Sequence, residues 1–301
     1  MAFGTAILVC ESSASSEWQA WCQTQEMQDA ELKAQWQETI SAWMYLQGQE
    51  RGPEAALEQS WNIQFWPDKK NTTGRKMFEL AKQDKTWQVE EIANQSVTVQ
   101  GIGSIEWLLF DSSAERYSKT EICQLGVPIS QNIENNASLI EQAWRVNPWN
   151  GLDDKKWHSE YLSLITNQLD YSMKKMSRPL AKPGKPRAYF AESWRSGTSL
   201  SQLEKNIEAM QALYFANGMG LDNILRKRGR DELASLISHQ FQVTLETWPE
   251  QQSMFDLLQS KSGYQYLMAQ YNKLEQLHYY MTEEVAIELG IVIGFNATDG
   301  D

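Results

Sequence analysis

The chain has 301 residues, room for two domains or one large one, and 42% of them are hydrophobic against 22% charged, which excludes a disordered chain. A formal net charge of -12 argues against nucleic acid or an anionic membrane surface as a partner, because both need clustered Lys and Arg. Three Cys, at positions 10, 22 and 123, are too few for a disulfide scaffold and show no CxxC spacing; they admit one disulfide, for which Cys22 and Cys123 are the better-placed pair.

From the start, residues 2–10 are apolar but lack a basic n-region and are too short to span a bilayer. We expect a remnant or a buried helix start there, with any export signal removed and a lipid anchor as the only link to a membrane. Helical periodicity dominates the rest of the chain. Leu32, Trp36, Ile40, Trp43 and Met44 form one stripe, and Ile129, Ile133, Ala137, Ile140 and Trp144 another. Trp157, Tyr161, Leu164, Gln168 and Ser172 keep the spacing with polar lapses, whereas Leu200, Leu203, Ile207, Met210 and Tyr214 keep it cleanly. Leu267, Tyr271, Leu274, His278, Met281 and Val285 close the series in near-heptad spacing. Alternation typical of strands occurs only near Ser96 to Val99, and 290–295 reads as a short extended tail.

Breakers mark the joints: Arg51-Gly52-Pro53, Trp66-Pro67-Asp68, Gly126-Val127-Pro128, Asn147 to Gly151, and a long loop from Ser177 to Gly197. Ser199-x-x-Gln202 reads as a capping box opening the next helix. The expected fold is all-α, with about four long helices in each of two packed helical-bundle domains, residues 1–149 and 150–301. Thirteen Trp suit helix packing or an aromatic cleft.

The three histidines, His158, His239 and His278, have neither HExxH spacing nor a paired face, which argues against a conventional zinc peptidase. His278 reads as a core or groove histidine. The string from Gln100 to Phe110 is more informative: Gly101 and Gly103 stand just ahead of an apolar run that carries Glu106. Paired glycines there point to close approach of a backbone or ligand.

With Gly101, Gly103 and Glu106 at its first, third and sixth positions, this string resembles the Gly-x-His-x-x-Glu signature of the imelysin-like family. The resemblance extends to Arg51-Gly52-Pro53, Ile63 to Lys69, Glu192 to Ser196, Gly294-Phe295-Asn296 and Asp299 to Asp301. It implies two related helical bundles in the periplasm or cell envelope, a site between them, and an association with iron uptake and its envelope components. Gly103 replaces the signature histidine, which removes a metal ligand or general base.

The expected ligand-binding residues are therefore Gly101, Gly103 and Glu106 with Arg51, Trp66, Asp68, Glu192, Ser193, Arg195 and Asn296. Arg51 and Arg195 could pair with Glu106 or an anion, and Trp66 and Trp194 could wall the cleft. Asp68, Glu192 and Asp299 could complete an oxygen-rich site for iron or another divalent cation. The leading expectation is a non-catalytic binding or accessory protein with a small ligand or metal ion in its cleft. Its rivals are a metal-dependent peptidase with an altered site and a structural protein whose interface holds only ion pairs.

Overall fold

Apolar side chains three and four residues apart need a common partner face, and the chain meets that need with packed helices. The computed structural model describes residues 14–24, 29–83 and 85–291. The longer helices of the first half are α1 (Ala14–Gln23), α2 (Ala30–Trp43), α3 (Thr72–Ala81), α4 (Ile102–Phe110) and α5 (Lys119–Trp144). Those of the second are α6 (Asp154–Leu180), α7 (Ser199–Phe215), α8 (Leu221–Lys227), α9 (Asp231–Glu246) and α10 (Lys261–Tyr279). No strand occurs among the described residues, which hold a single isolated bridge between Lys182 and Lys185.

Local chemistry explains several helix starts. Ser118 and Glu121 form a capping box on α5, with Glu121 Oε2 accepting the Ser118 amide at 2.7 Å. Asp153 accepts the Lys156 amide at 2.8 Å to open α6, and Ser260 accepts that of Gly263 at 2.9 Å to open α10. Each bond satisfies a first-turn donor that the helix itself cannot serve.

Four sequence expectations need correction. Gly126-Val127-Pro128 is not a joint, because α5 runs through it; Gly126 instead admits Trp18, whose ring atoms would lie 2.1 Å from an added Cβ. The expected loop at Ser177 begins later, since the buried Met176 and Leu180 hold α6 together to its last turn despite Pro179. The helix after that loop has no capping box: Thr198 holds the N-cap position without a side-chain bond to the helix amides, its Oγ1 accepting Gln202 Nε2 at 2.7 Å, and Ser199 Oγ accepts the Met254 amide instead. Val97–Val99 is a 3-10 turn, closed by Val99 N donating to Ser96 O at 2.9 Å, so the alternation there is no strand. Of the expected tail, only Gly290 and Ile291 lie within the described residues; Gly290 ends the helix Ala286–Leu289 with a left-handed φ of 64°.

Buried apolar side chains fall into two clusters, one drawn from Trp18 to Ile140 and the other from Tyr161 to Ile291. Trp18, Trp36, Trp43 and Trp107 belong to the first, so much of the tryptophan content is helix packing. Cys22 and Cys123 form a disulfide that ties α1 to α5. At the end of α2, the Met44 carbonyl accepts Gln168 Nε2 at 2.8 Å and Asn206 Nδ2 at 2.7 Å, so one main-chain oxygen joins the first half to α6 and α7.

Candidate functional site

Close packing positions the start of α4. Gly101 lies so near residue 63 that an added Cβ would stand 2.1 Å from the Ile63 carbonyl oxygen, which only glycine permits. Trp36 Nε1 donates to the Ile102 carbonyl at 3.1 Å, and Asn132 Nδ2 to that of Gln100 at 3.0 Å. Gly103 differs from Gly101: an added Cβ there would meet nothing within 4 Å. It faces a cleft of about 550 Å³, open mouth included.

One wall of the cleft comes from α4 and the segment from Gln64 to Lys69, the other from the segment between Tyr189 and Arg195. Glu106, one turn after Gly103, is 4% exposed. Its Oε1 accepts the Ser196 amide at 3.0 Å and the Ser196 hydroxyl at 3.1 Å, while Oε2 has no hydrogen-bond partner among the described residues. Burial pushes the Glu106 carboxyl above its ordinary range, against the opposing charge of Arg195 and the Ser196 bonds. Ser193 shapes this contact: its φ of 48° turns the chain so that its carbonyl accepts Gly197 N at 3.1 Å and lies 3.1 Å from Ser196 Oγ, sharing that hydroxyl's single proton with Glu106.

Arg195 does not hydrogen-bond Glu106. Its Nε donates to Asp111 Oδ2 at 2.7 Å, an Nη donates to Asn71 Oδ1, and the guanidinium lies over the Trp194 ring at 4.4 Å. Gly74 on α3 makes room for it, since an added Cβ would stand 2.9 Å from that guanidinium. Burial would raise the Asp111 carboxyl, but hydrogen bonds from Arg195 and Ser113 hold it below its usual range.

Glu192 is 2% exposed at the cleft wall. Its Oε1 accepts Gln47 Nε2 at 2.5 Å and Gln64 Nε2 at 2.8 Å, and its Oε2 pairs with Lys175. Lys175 also donates to Gln47 Oε1 at 2.8 Å and Asn206 Oδ1 at 2.7 Å. Burial pulls the Lys175 ammonium below its ordinary pKa, opposed by the Glu192 charge. Asp68 accepts the Thr72 and Thr73 amides at 2.6 and 2.9 Å, which commits both its oxygens to the start of α3. Trp66 is buried edge-on to Tyr171 at 5.4 Å.

The cleft thus gathers Gly103, Glu106, Trp66, Asp68, Glu192, Ser193, Trp194 and Arg195 of the expected set. Gly101 supports it from behind. Arg51 does not line it: the side chain is 51% exposed and stands 3.8 Å from Glu160, while Gly52 beside it, at φ 140°, packs against Trp144. Asn296 and Asp299 lie outside the described residues. Sequence reasoning gave no role to Ser196, Lys175, Gln47 or Gln64. The polar lapses on the α6 stripe were the available signal, since Gln168, Ser172 and Lys175 are all buried there.

The sequence model of the family described as Imelysin matches residues 12–281. The chain belongs to the imelysin family. An imelysin-like protein of Psychrobacter arcticum 273-4 has a similar structure, with a TM-score of 0.81 at 18% identity over 98% of this chain and 92% of that one. A "putative iron-regulated protein A precursor" from Parabacteroides distasonis ATCC 8503 matches with a TM-score of 0.62 at 14% identity over 93% of this chain and 95% of that one. At these identities the likeness concerns the fold. No curated protein matches the chain. In this imelysin the third signature position is Gly103, and it opens directly on the cleft.

Among the described residues the donor set does not fit a resident divalent cation. Asp68 has both oxygens on helix amides, Glu192 is held by two amides and an ammonium, and Glu106 offers one free oxygen on a carboxyl that burial keeps protonated more readily than usual. Among the described residues no group of three or more His, Cys, Asp or Glu is placed to hold a metal ion. His278, paired with Asp170 at 3.0 Å, is not among the residues lining the cleft.

Proposed function

We propose that this imelysin is a non-catalytic binding or accessory protein of the cell envelope, associated with iron uptake, that grips a ligand in the cleft between its two bundles. The observation that carries the reading is Glu106, nearly fully buried yet with one carboxyl oxygen left free toward that cleft. A catalytic reading would need a base and a metal, whereas Gly103 stands in the histidine position and the neighbouring carboxylates are committed to structure. Support for the iron association is indirect, through the family and the words "iron-regulated" in the Parabacteroides distasonis description.

The Cys22–Cys123 disulfide supports an oxidising compartment such as the periplasm. No helix among the described residues is long and apolar enough to cross a membrane. A division into domains 1–149 and 150–301 is supported by the two apolar clusters, whose members stop at Ile140 and resume at Tyr161.

The test uses the cleft tryptophans Trp36, Trp66 and Trp194 as reporters. The low-molecular-mass fraction of an iron-starved bacterial culture should change their fluorescence and raise the melting temperature, and Trp194→Ala should weaken both effects. No response in either measurement overturns the binding reading. Cleavage of a protein substrate with added iron or zinc, lost in Glu106→Ala, would establish the peptidase alternative instead.

A further inference from the structure

The first turn of α4 offers the cleft an opening that the rest of its walls do not. Apart from the helix's own backbone, nothing lies within 4 Å of where a Cβ of Gly103 would stand, so the space beside its half-buried Cα opens on the cleft. Its amide belongs to the first turn, where N–H groups have no intrahelical acceptor, and no side chain caps this helix. One turn further on, Glu106 Oε2 is the unpartnered oxygen of a side chain 4% exposed.

We propose that the gap at Gly103 is a subsite for a ligand carboxylate, which accepts one hydrogen bond from the Gly103 amide and one from the Oε2 hydroxyl of Glu106. This rests on the cleft reading above and specifies its ligand chemistry. Burial favours the protonated form of Glu106, the state that can donate. The positive end of the helix dipole attracts the anion, and Arg195 and the exposed Lys69 add positive charge at the border.

Competing ligand chemistries fit less well. A cation would meet a single free oxygen. A dianion such as a phosphate ester would face the Asp68 and Glu192 carboxylates with twice the charge of a carboxylate. Phe65, Phe190 and Trp194 border the same space, so the group carrying the carboxylate is apolar and aromatic.

Calorimetric titration of the full chain with benzoate, benzamide and phenylphosphonate tests the subsite. Benzoate should bind best and weaken as pH rises through the raised pKa of Glu106, because the carboxyl loses its donor proton there. Asp68, Lys69, Glu192 and Arg195 also border the cleft, so Glu106→Gln is the control: it keeps a donor and should bind with the pH dependence removed. Gly103→Leu, which fills the gap, should cost at least about tenfold in affinity, the worth of one charge-assisted hydrogen bond.

Thermal unfolding checks that this variant folds. If it does not, Gly103→Ala, for which the open space leaves ample room, should fold and still weaken benzoate. Wild-type affinity in the Gly103 variants, wild-type pH dependence in Glu106→Gln, or a preference for benzamide overturns the proposal. If benzoate fails while the bacterial fraction still alters tryptophan fluorescence, the subsite falls and the cleft reading stands; if both fail, both fall.

Discussion

Ser196 gives its main-chain amide and its hydroxyl to the same oxygen of Glu106, at 3.0 and 3.1 Å, across 90 residues of sequence. The pair joins α4 to the loop ahead of α7. Ser196→Ala removes the hydroxyl bond and keeps the amide, so unfolding in urea should show a loss of about 1 kcal/mol. The Glu106 carboxyl should also move further up, since a bond favouring its charged form is gone.

Glu106 and Asp111 give stability opposite pH dependences. The folded-state pKa of Glu106 is raised, chiefly by burial. Its contribution is therefore greatest below the unfolded value, about 4.3, and declines as pH rises through the folded one. Asp111 is depressed: burial is outweighed by its bonds from Arg195 and Ser113. Its contribution is present above the unfolded value, about 3.9, and is lost as pH falls through the folded one. In a pH series of urea midpoints, Glu106→Gln should remove the decline on the alkaline side of that range. Asp111→Asn should remove part of the loss in acid.

The buried pair of Lys175 and Glu192, each 2% exposed, has a predictable asymmetry. Lys175→Met strands a carboxylate among amides and should cost about 3–5 kcal/mol. Adding Glu192→Gln removes that charge and should recover most of the loss. Chemical denaturation of both singles and the double variant measures the coupling, and strict additivity would show that the charges do not interact.

Replacing Cys22 and Cys123 by Ser opens a loop with a sequence separation of 101. Loop entropy predicts a loss of about 2–5 kcal/mol. The same drop in melting temperature should follow from reducing the wild type with a thiol, and the double-serine variant should no longer respond to that thiol.

Periodicity carried the fold. Stripes such as Leu32, Trp36, Ile40 and Trp43 did lie on one buried helix face, because burial acts through the same spacing that the sequence displays. Breaker residues misled where tertiary packing reassigned them. Gly126 accommodates Trp18 inside α5, and Pro179 sits in a helix end secured by buried neighbours. The cleft was legible in part, since Glu106, Trp66, Ser193 and Arg195 all border it. Their partners were not legible: whether Arg195 meets Glu106 or Asp111 depends on where Gly74 leaves space, and no local pattern encodes that. Arg51 misled because a conspicuous Arg-Gly-Pro string also arises from a turn that fits against Trp144.

The carbonyl of Met44 holds Gln168 and Asn206 together, with Lys175 beside them on Gln47. Swinging the two halves apart at this corner would strand several dry polar groups at once, a cost far above that of turning a side chain. The contact between the two halves is therefore latched at this corner, so room for any ligand must come from the side chains lining the cleft and not from separation of the two cores.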